Sequence, residues 1–215
     1  MSRLIIACSM IEDEVNFVLR ENHIQDPVQW LDRGLHEFPQ RLRQMLQQII
    51  DESDADEILL TQGLCGNAII GVGSDRATLV APAFHDCTHM LLSTAPGVAP
   101  ALDSRSLYFT DGWFRSERFI TNEYDQCVQQ YGREQADAIF EMMLKSYHSL
   151  TLIDTGAYDY PAACRKGRCA AGKLGLSFAE SHGTLRVLRK LLTGQWDQEF
   201  LILPPGSRFQ QNQFY

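Results

Sequence analysis

Short apolar runs of strand length alternate along this chain with segments whose apolar residues recur at helical spacing, and that alternation leaves few architectures open. Residues 3–8, Arg-Leu-Ile-Ile-Ala-Cys, are apolar at consecutive positions, as expected of a strand covered on both faces. Ile11, Val15, Val18 and Leu19 follow at helical spacing, with Ser9 and Glu12 placed as a capping box. Residues 28–31 read as a second strand, after which Pro39 opens a helix whose apolar face is Leu42, Met45, Leu46, Ile49 and Ile50. Further strands are expected at 57–60, 77–80, 107–109, 150–153 and 200–203. Further helices are expected from Met90, Leu91 and Leu92, across 123–147, across 162–173, and around Leu185, Leu188, Leu191 and Leu192. The long segment breaks near Gly132 and carries Ile139, Phe140, Met143 and Tyr147 as its core side. The predicted fold class is α/β, a mainly parallel sheet with helices on both faces in a Rossmann-like, three-layer arrangement. With 215 residues, one domain over 1–209 is expected, and the Gln-rich residues 210–215 are expected to fray.

In sheets of this kind ligands collect beyond the carboxyl ends of the strands, so the residues that follow each run carry the functional reading. Cys8 ends the first run, and Gln62-Gly63-Leu64-Cys65-Gly66-Asn67 follows the third. His85-Asp86-Cys87 follows the fourth, and Asp154 and the Pro204-Pro205-Gly206 turn follow later ones. One sheet edge would thus gather three thiols and an imidazole. Gly63 and Gly66 beside Cys65 allow a sharp turn that leaves the thiol uncrowded. Cys87 is expected at a helix N-terminus, where amide groups and the helix dipole favour thiolate. A His-x-Cys pair with a distant Cys is a three-ligand set with an open fourth position, and an open position implies chemistry. Cys65, His85 and Cys87 are therefore the candidate zinc ligands, with Cys8 either a fourth ligand or a residue at the mouth. Asp86 and His89 are the candidate acid/base groups or supports for the ligands. His85 and His89, four apart, form an alternative ligand pair. Asn67 and Trp113 are the candidate cofactor-binding residues, Trp113 lying in an aromatic turn suited either to covering a pocket or to core packing.

A formal net charge of −8 argues against sequence-independent nucleic-acid binding, which needs clustered positive charge. No apolar run approaches the roughly 18 residues of a membrane helix and no charged-then-apolar leader opens the sequence, so a cytoplasmic protein without membrane association is expected. The remaining cysteines have other contexts. Cys127 falls in a polar helical stretch, and Cys164 and Cys169 flank the basic run Arg165-Lys166-Gly167-Arg168, read as a solvated face or a redox pair.

The order Ile-Ile-Ala-Cys, Gly-Leu-Cys-Gly-Asn, His-Asp-Cys, Asp-Gly-Trp, Ile-Asp-Thr-Gly, Gly-Gln-Trp-Asp and Pro-Pro-Gly resembles the family labelled domain of unknown function 1638, nearly end to end. Residues 63–67 and 85–87 are its most specific marks. The resemblance implies a place beside corrinoid-dependent methyltransferases acting on methylamines and quaternary amines, and hence one-carbon metabolism. The chain lacks an Asp-x-His-x-x-Gly corrinoid signature and is not expected to carry its own corrinoid. The site chemistry is also similar to zinc enzymes that activate a thiol for alkylation, with the order of lone Cys and His-x-Cys reversed. Zinc is the implied cofactor, and the implied partners are a small-molecule substrate or proteins of a corrinoid methyltransferase system. Two alternatives accompany this reading: a metal-free, racemase-like two-cysteine enzyme in which Asn67 and Thr88 bind a carboxylate, and a non-catalytic accessory protein.

Overall fold

A computed structural model describes residues 2–214. Its elements are β1 (Arg3–Cys8), α1 (Glu12–Glu21), β2 (Val28–Leu31), α2 (Pro39–Glu52), β3 (Glu57–Leu60), β4 (Gly73–Ser74), β5 (Thr78–Pro82) and α3 (Cys87–Leu92). There follow β6 (Ser106–Phe109), α4 (Ile120–Tyr131), α5 (Arg133–Leu144), β7 (Ser149–Asp154), α6 (Tyr160–Lys173), β8 (Ser177–His182), α7 (Arg186–Thr193), β9 (Phe200–Leu203) and β10 (Ser207–Arg208). The chain is α/β, with mainly parallel sheets and helices around them. The elements fall into two compact units, residues 1–100 with 184–215, and residues 101–183.

The first unit holds a five-stranded sheet in the order β2-β1-β3-β5-β9. The first four strands are parallel and β9 runs antiparallel to β5. Alternate side chains divide the core between the two faces. Ile6, Ile58, Leu60, Leu79 and Ala81 pack with Leu42, Leu46 and Ile50 of α2. Ile5, Ala7, Leu59 and Val80 point the other way and are equally buried, on the face served by α1 and α7. Burial on both faces is why these strands are apolar at consecutive positions through their centres. From β1 the chain passes to β2 on one side and then returns to β3 on the other. A switch point therefore opens between the carboxyl ends of β1 and β3, where doubly wound sheets leave a crevice.

The second unit is a parallel three-stranded sheet, β6-β7-β8, with α4, α5 and α6. Ala163, Gly167, Ala170 and Ala171 are the buried residues of α6. A Cβ at Gly167 would lie 2.4 Å from Phe178, so the glycine is what lets the helix approach its sheet.

Several local expectations need correction. Ser9 caps nothing, because a 3-10 turn over Ser9–Ile11 precedes α1. On α5, Ile139 and Met143 are exposed, and Ala136, Phe140 and Leu144 form the core side instead. The strands occupy two principal sheets, so Asp154 ends β7 in the second unit, in a different sheet from the one that carries the cysteines. Because β9 is antiparallel, Pro204-Pro205-Gly206 leaves the opposite edge, and Asp197 and Glu199, which precede β9, come to the edge where β5 ends. Residues 210–214 carry a 3-10 turn over Gln211–Gln213, with Phe214 against Phe209.

Candidate functional site

Cys8 closes β1, Cys65 lies in the turn after β3, and Cys87 is the first residue of α3 after β5. These three strands are neighbours around the switch point, so their carboxyl ends share one edge. Backbone contacts lock the two loops together. Leu64 N–H donates to the Phe84 carbonyl and Cys65 N–H to the His85 carbonyl, each at 2.8 Å. A Cβ on Gly63 would stand 2.2 Å from the Phe84 oxygen, so only glycine permits this approach. Thr61 ties in the first strand, its Oγ1 accepting from Cys8 N–H at 3.2 Å. The Cys65 turn is strained. Cys65, Gly66 and Asn67 take φ of 43°, 63° and 69°, a left-handed turn that a cysteine adopts only when its surroundings impose it.

Each of the three cysteines keeps some solvent exposure, yet the protein around each thiol is as dense as an interior. Burial is the largest influence on all of them. It pushes the Cys8 thiol up, against the Met10 amide and the Arg33 charge. It pushes Cys65 up to about 12, aided by repulsion from Cys8 and Asp86. It raises Cys87 as well, with repulsion from Cys8, Cys65, Asp86 and Glu14 added. The expected thiolate at the α3 N-terminus is thus corrected, since desolvation outweighs the dipole of a six-residue helix. The same interactions show that the three thiols lie within electrostatic reach of one another. Sequence reading had no signal for Glu14, a fully buried carboxyl on α1 within reach of Cys87. Gln62 is 3% exposed and its Oε1 has no hydrogen-bond partner.

Asp86 is the N-cap of α3. It accepts from His89 N–H at 2.9 Å and from His89 Nδ1 at 2.8 Å. Burial works to raise its carboxyl, but the His89 contacts outweigh burial and hold it below the usual carboxylate range. The His89 ring is therefore fixed, with Nε2 as its remaining nitrogen. His85 is exposed, and its ring centroid lies 5.2 Å from that of His89. Both line a cavity of about 540 Å³ with Ala83, Phe84, Ser93, Val98, Pro100 and Glu199. The structure thus brings Cys8, Cys65 and Cys87 within electrostatic reach of one another, with Asp86 in reach of Cys65 and Cys87, and sets the two histidines on a cavity wall. Among the described residues no group of three or more His, Cys, Asp or Glu side chains is arranged to hold a metal ion. Asn67 is exposed, its carbonyl accepting from Arg43 at 2.7 Å. Trp113 belongs to the second unit, in the turn Asp111–Arg115, packed against the cluster around Phe109 and Phe119.

Glu199 is the residue sequence reading missed on the cavity wall. Its carboxylate accepts from both terminal nitrogens of Arg186, the Nη2 bond at 2.8 Å, and from Lys190 at 3.0 Å. Arg186 also holds Ser93 Oγ at 3.0 Å. A lone Glu after Trp-Asp-Gln carries no sequence signal, because only the antiparallel course of β9 brings it here.

Fold and site define a doubly wound α/β protein with a thiol-rich edge at its switch point and an imidazole-lined cavity on the same loop. The chain belongs to the family described as Protein of unknown function (DUF1638), whose model matches residues 30–192. That span includes Cys65, His85 and Cys87, whereas Cys8 and the Pro-Pro-Gly turn fall outside it, a shorter match than expected. No curated protein and no solved structure matches the chain. No helix among the described residues is long and apolar enough to cross a membrane.

Proposed function

We propose that the carboxyl edge of the first sheet is a soft-metal site, zinc by its donor set, held by Cys8, Cys65 and Cys87. The observation that carries this reading is the convergence of three thiols from the ends of β1, β3 and β5. The donor chemistry fits: buried thiols that repel one another as anions ionise together when a divalent cation joins them. Gln62 Oε1, buried without a partner, suits a donor on a bound group. Metal-free cysteine catalysis is less well supported, because burial and mutual repulsion disfavour the thiolates it needs.

Zinc held there by Cys8, Cys65 and Cys87 would supply Lewis acidity, which would favour the anion of a substrate thiol near neutral pH. Around it the chain's own residues fix geometry. Gly63 lets the two loops meet, Asp86 orients His89, and Glu14 and Asp86 add negative charge that favours a cation. The wider role we propose is activation of a thiol for methyl or alkyl transfer in corrinoid-dependent one-carbon metabolism, which rests on the family resemblance. Metal analysis of protein purified without chelator tests the site. About one zinc per chain is expected, lost in Cys65→Ser and Cys87→Ser. Content well below one, unchanged by the double substitution, refutes it.

A further inference from the structure

The loop that presents Cys87 also builds one wall of the 540 Å³ cavity, through Ala83, Phe84, His85 and His89. Its size is that of a small-molecule site, and its character follows from which polar groups are already engaged. Glu199 is buried on the wall but brings no free negative charge, since Arg186 and Lys190 both bond its carboxylate. Ser93 Oγ is held by the same arginine. The apolar part of the wall is Ala83, Phe84, Val98, Ala99 and Pro100. What the wall has left for a ligand are the two imidazoles and the Gln198 amide, and the Asp86 carboxylate fixes one imidazole through Nδ1 so that Nε2 is its remaining contact.

We infer that this cavity binds a compact, uncharged, mainly apolar organic molecule with a polar end that meets the neutral polar groups of the wall, the histidine pair and the Gln198 amide. Arg186 and Lys190 already balance the carboxylates of Glu199 and Asp197, so this wall offers no unpaired charge to compensate a ligand's own, and the cost of desolvating a fixed anion or cation disfavours both.

Calorimetric titration with benzyl alcohol, benzyl mercaptan, phenylacetate and benzylammonium tests the inference on metal-stripped protein. The two neutral probes are expected to bind, with each charged probe roughly tenfold weaker or worse. Val98→Trp, which fills the cavity from a half-exposed position, is expected to weaken neutral binding by about tenfold or more. Exposed Cys169 on α6 does not line the cavity, so Cys169→Ser is expected to bind the neutral probes unchanged. Equal binding of charged and neutral probes, insensitivity to Val98→Trp, or no neutral binding in the millimolar range overturns the inference even if metal is present. Protein that lacks metal but binds the neutral probes retains the inference and removes the metal reading.

Discussion

Replacing Gly63 by alanine strikes the contact on which the site depends. The added methyl would sit 2.2 Å from the Phe84 carbonyl oxygen and 2.9 Å from its carbon, and both are backbone atoms that no rotamer change can move. Relief requires the two loops to separate, which lengthens the 2.8 Å bonds from Leu64 and Cys65 to residues 84 and 85. Overpacking costs about 1–3 kcal/mol, and weakening two bonds adds about 1 kcal/mol, for a total of roughly 2–4 kcal/mol. For a chain of this size that corresponds to a fall in Tm of roughly 5–15 °C. Thermal and urea unfolding measure it, with Gly172→Ala as the control. A Cβ at Gly172 meets nothing within 4 Å, and alanine there gains up to about 1 kcal/mol of helix propensity. If Gly63→Ala melts within a degree or two of wild type, the loops are not locked as described and the convergence of Cys65 with Cys87 loses its physical basis.

Three further outcomes are expected. The Arg186 bonds hold the Glu199 carboxyl, and the Lys190 bond the Asp197 carboxyl, below their usual ranges. Their stabilisation is complete above the unfolded pKa of about 4 and is lost as pH falls through the lower folded values, so Glu199→Gln should cost roughly 2 kcal/mol at pH 7 and flatten urea stability between pH 5 and 2, whereas an unchanged acid slope would contradict the network. Asp86→Ala removes both the α3 cap and the His89 contact and should cost about 1 kcal/mol in urea unfolding, but Asp86→Asn, which still caps, should lose less than half of that, and equal losses would show that capping is not what Asp86 contributes. Cys87→Ala should release metal and with it the mass-action stabilisation of about 2.7 kcal/mol at a hundredfold excess over Kd, while exposed Cys169→Ala stays within about 0.5 kcal/mol with metal content intact, and melting curves with and without chelator would reveal the opposite pattern if the site lay elsewhere.

The strands at 3–8 and 57–60 were legible in the sequence to the residue because burial on both faces demands an apolar run through the strand's centre and that demand is local, and the edge strands at 28–31 and 200–203 were legible from their apolar and aromatic residues although Gln29 and Ile202 are exposed. The break at Gly132 was legible for the same reason, since a φ of 83° asks for glycine whatever surrounds it. β8 was not legible. Its sequence Ser-Phe-Ala-Glu-Ser-His is polar because no residue of the strand is fully buried, so it lacks the pattern that betrays a core strand. The sequence also placed Cys8, Cys65 and Cys87 at strand ends, which is a statement about chain neighbours. Whether those ends meet depends on strand order and direction, to which a run of four apolar residues is indifferent. The order β2-β1-β3-β5-β9 put β1, β3 and β5 side by side, and the reversal of β9 brought Glu199 in while sending Pro204-Pro205-Gly206 to the far edge. Thiol ionisation was decided at the same level. A helix N-terminus can be read from spacing, but the desolvation that overrides it comes from atoms distant in the chain, and only the folded structure assembles them around Cys87.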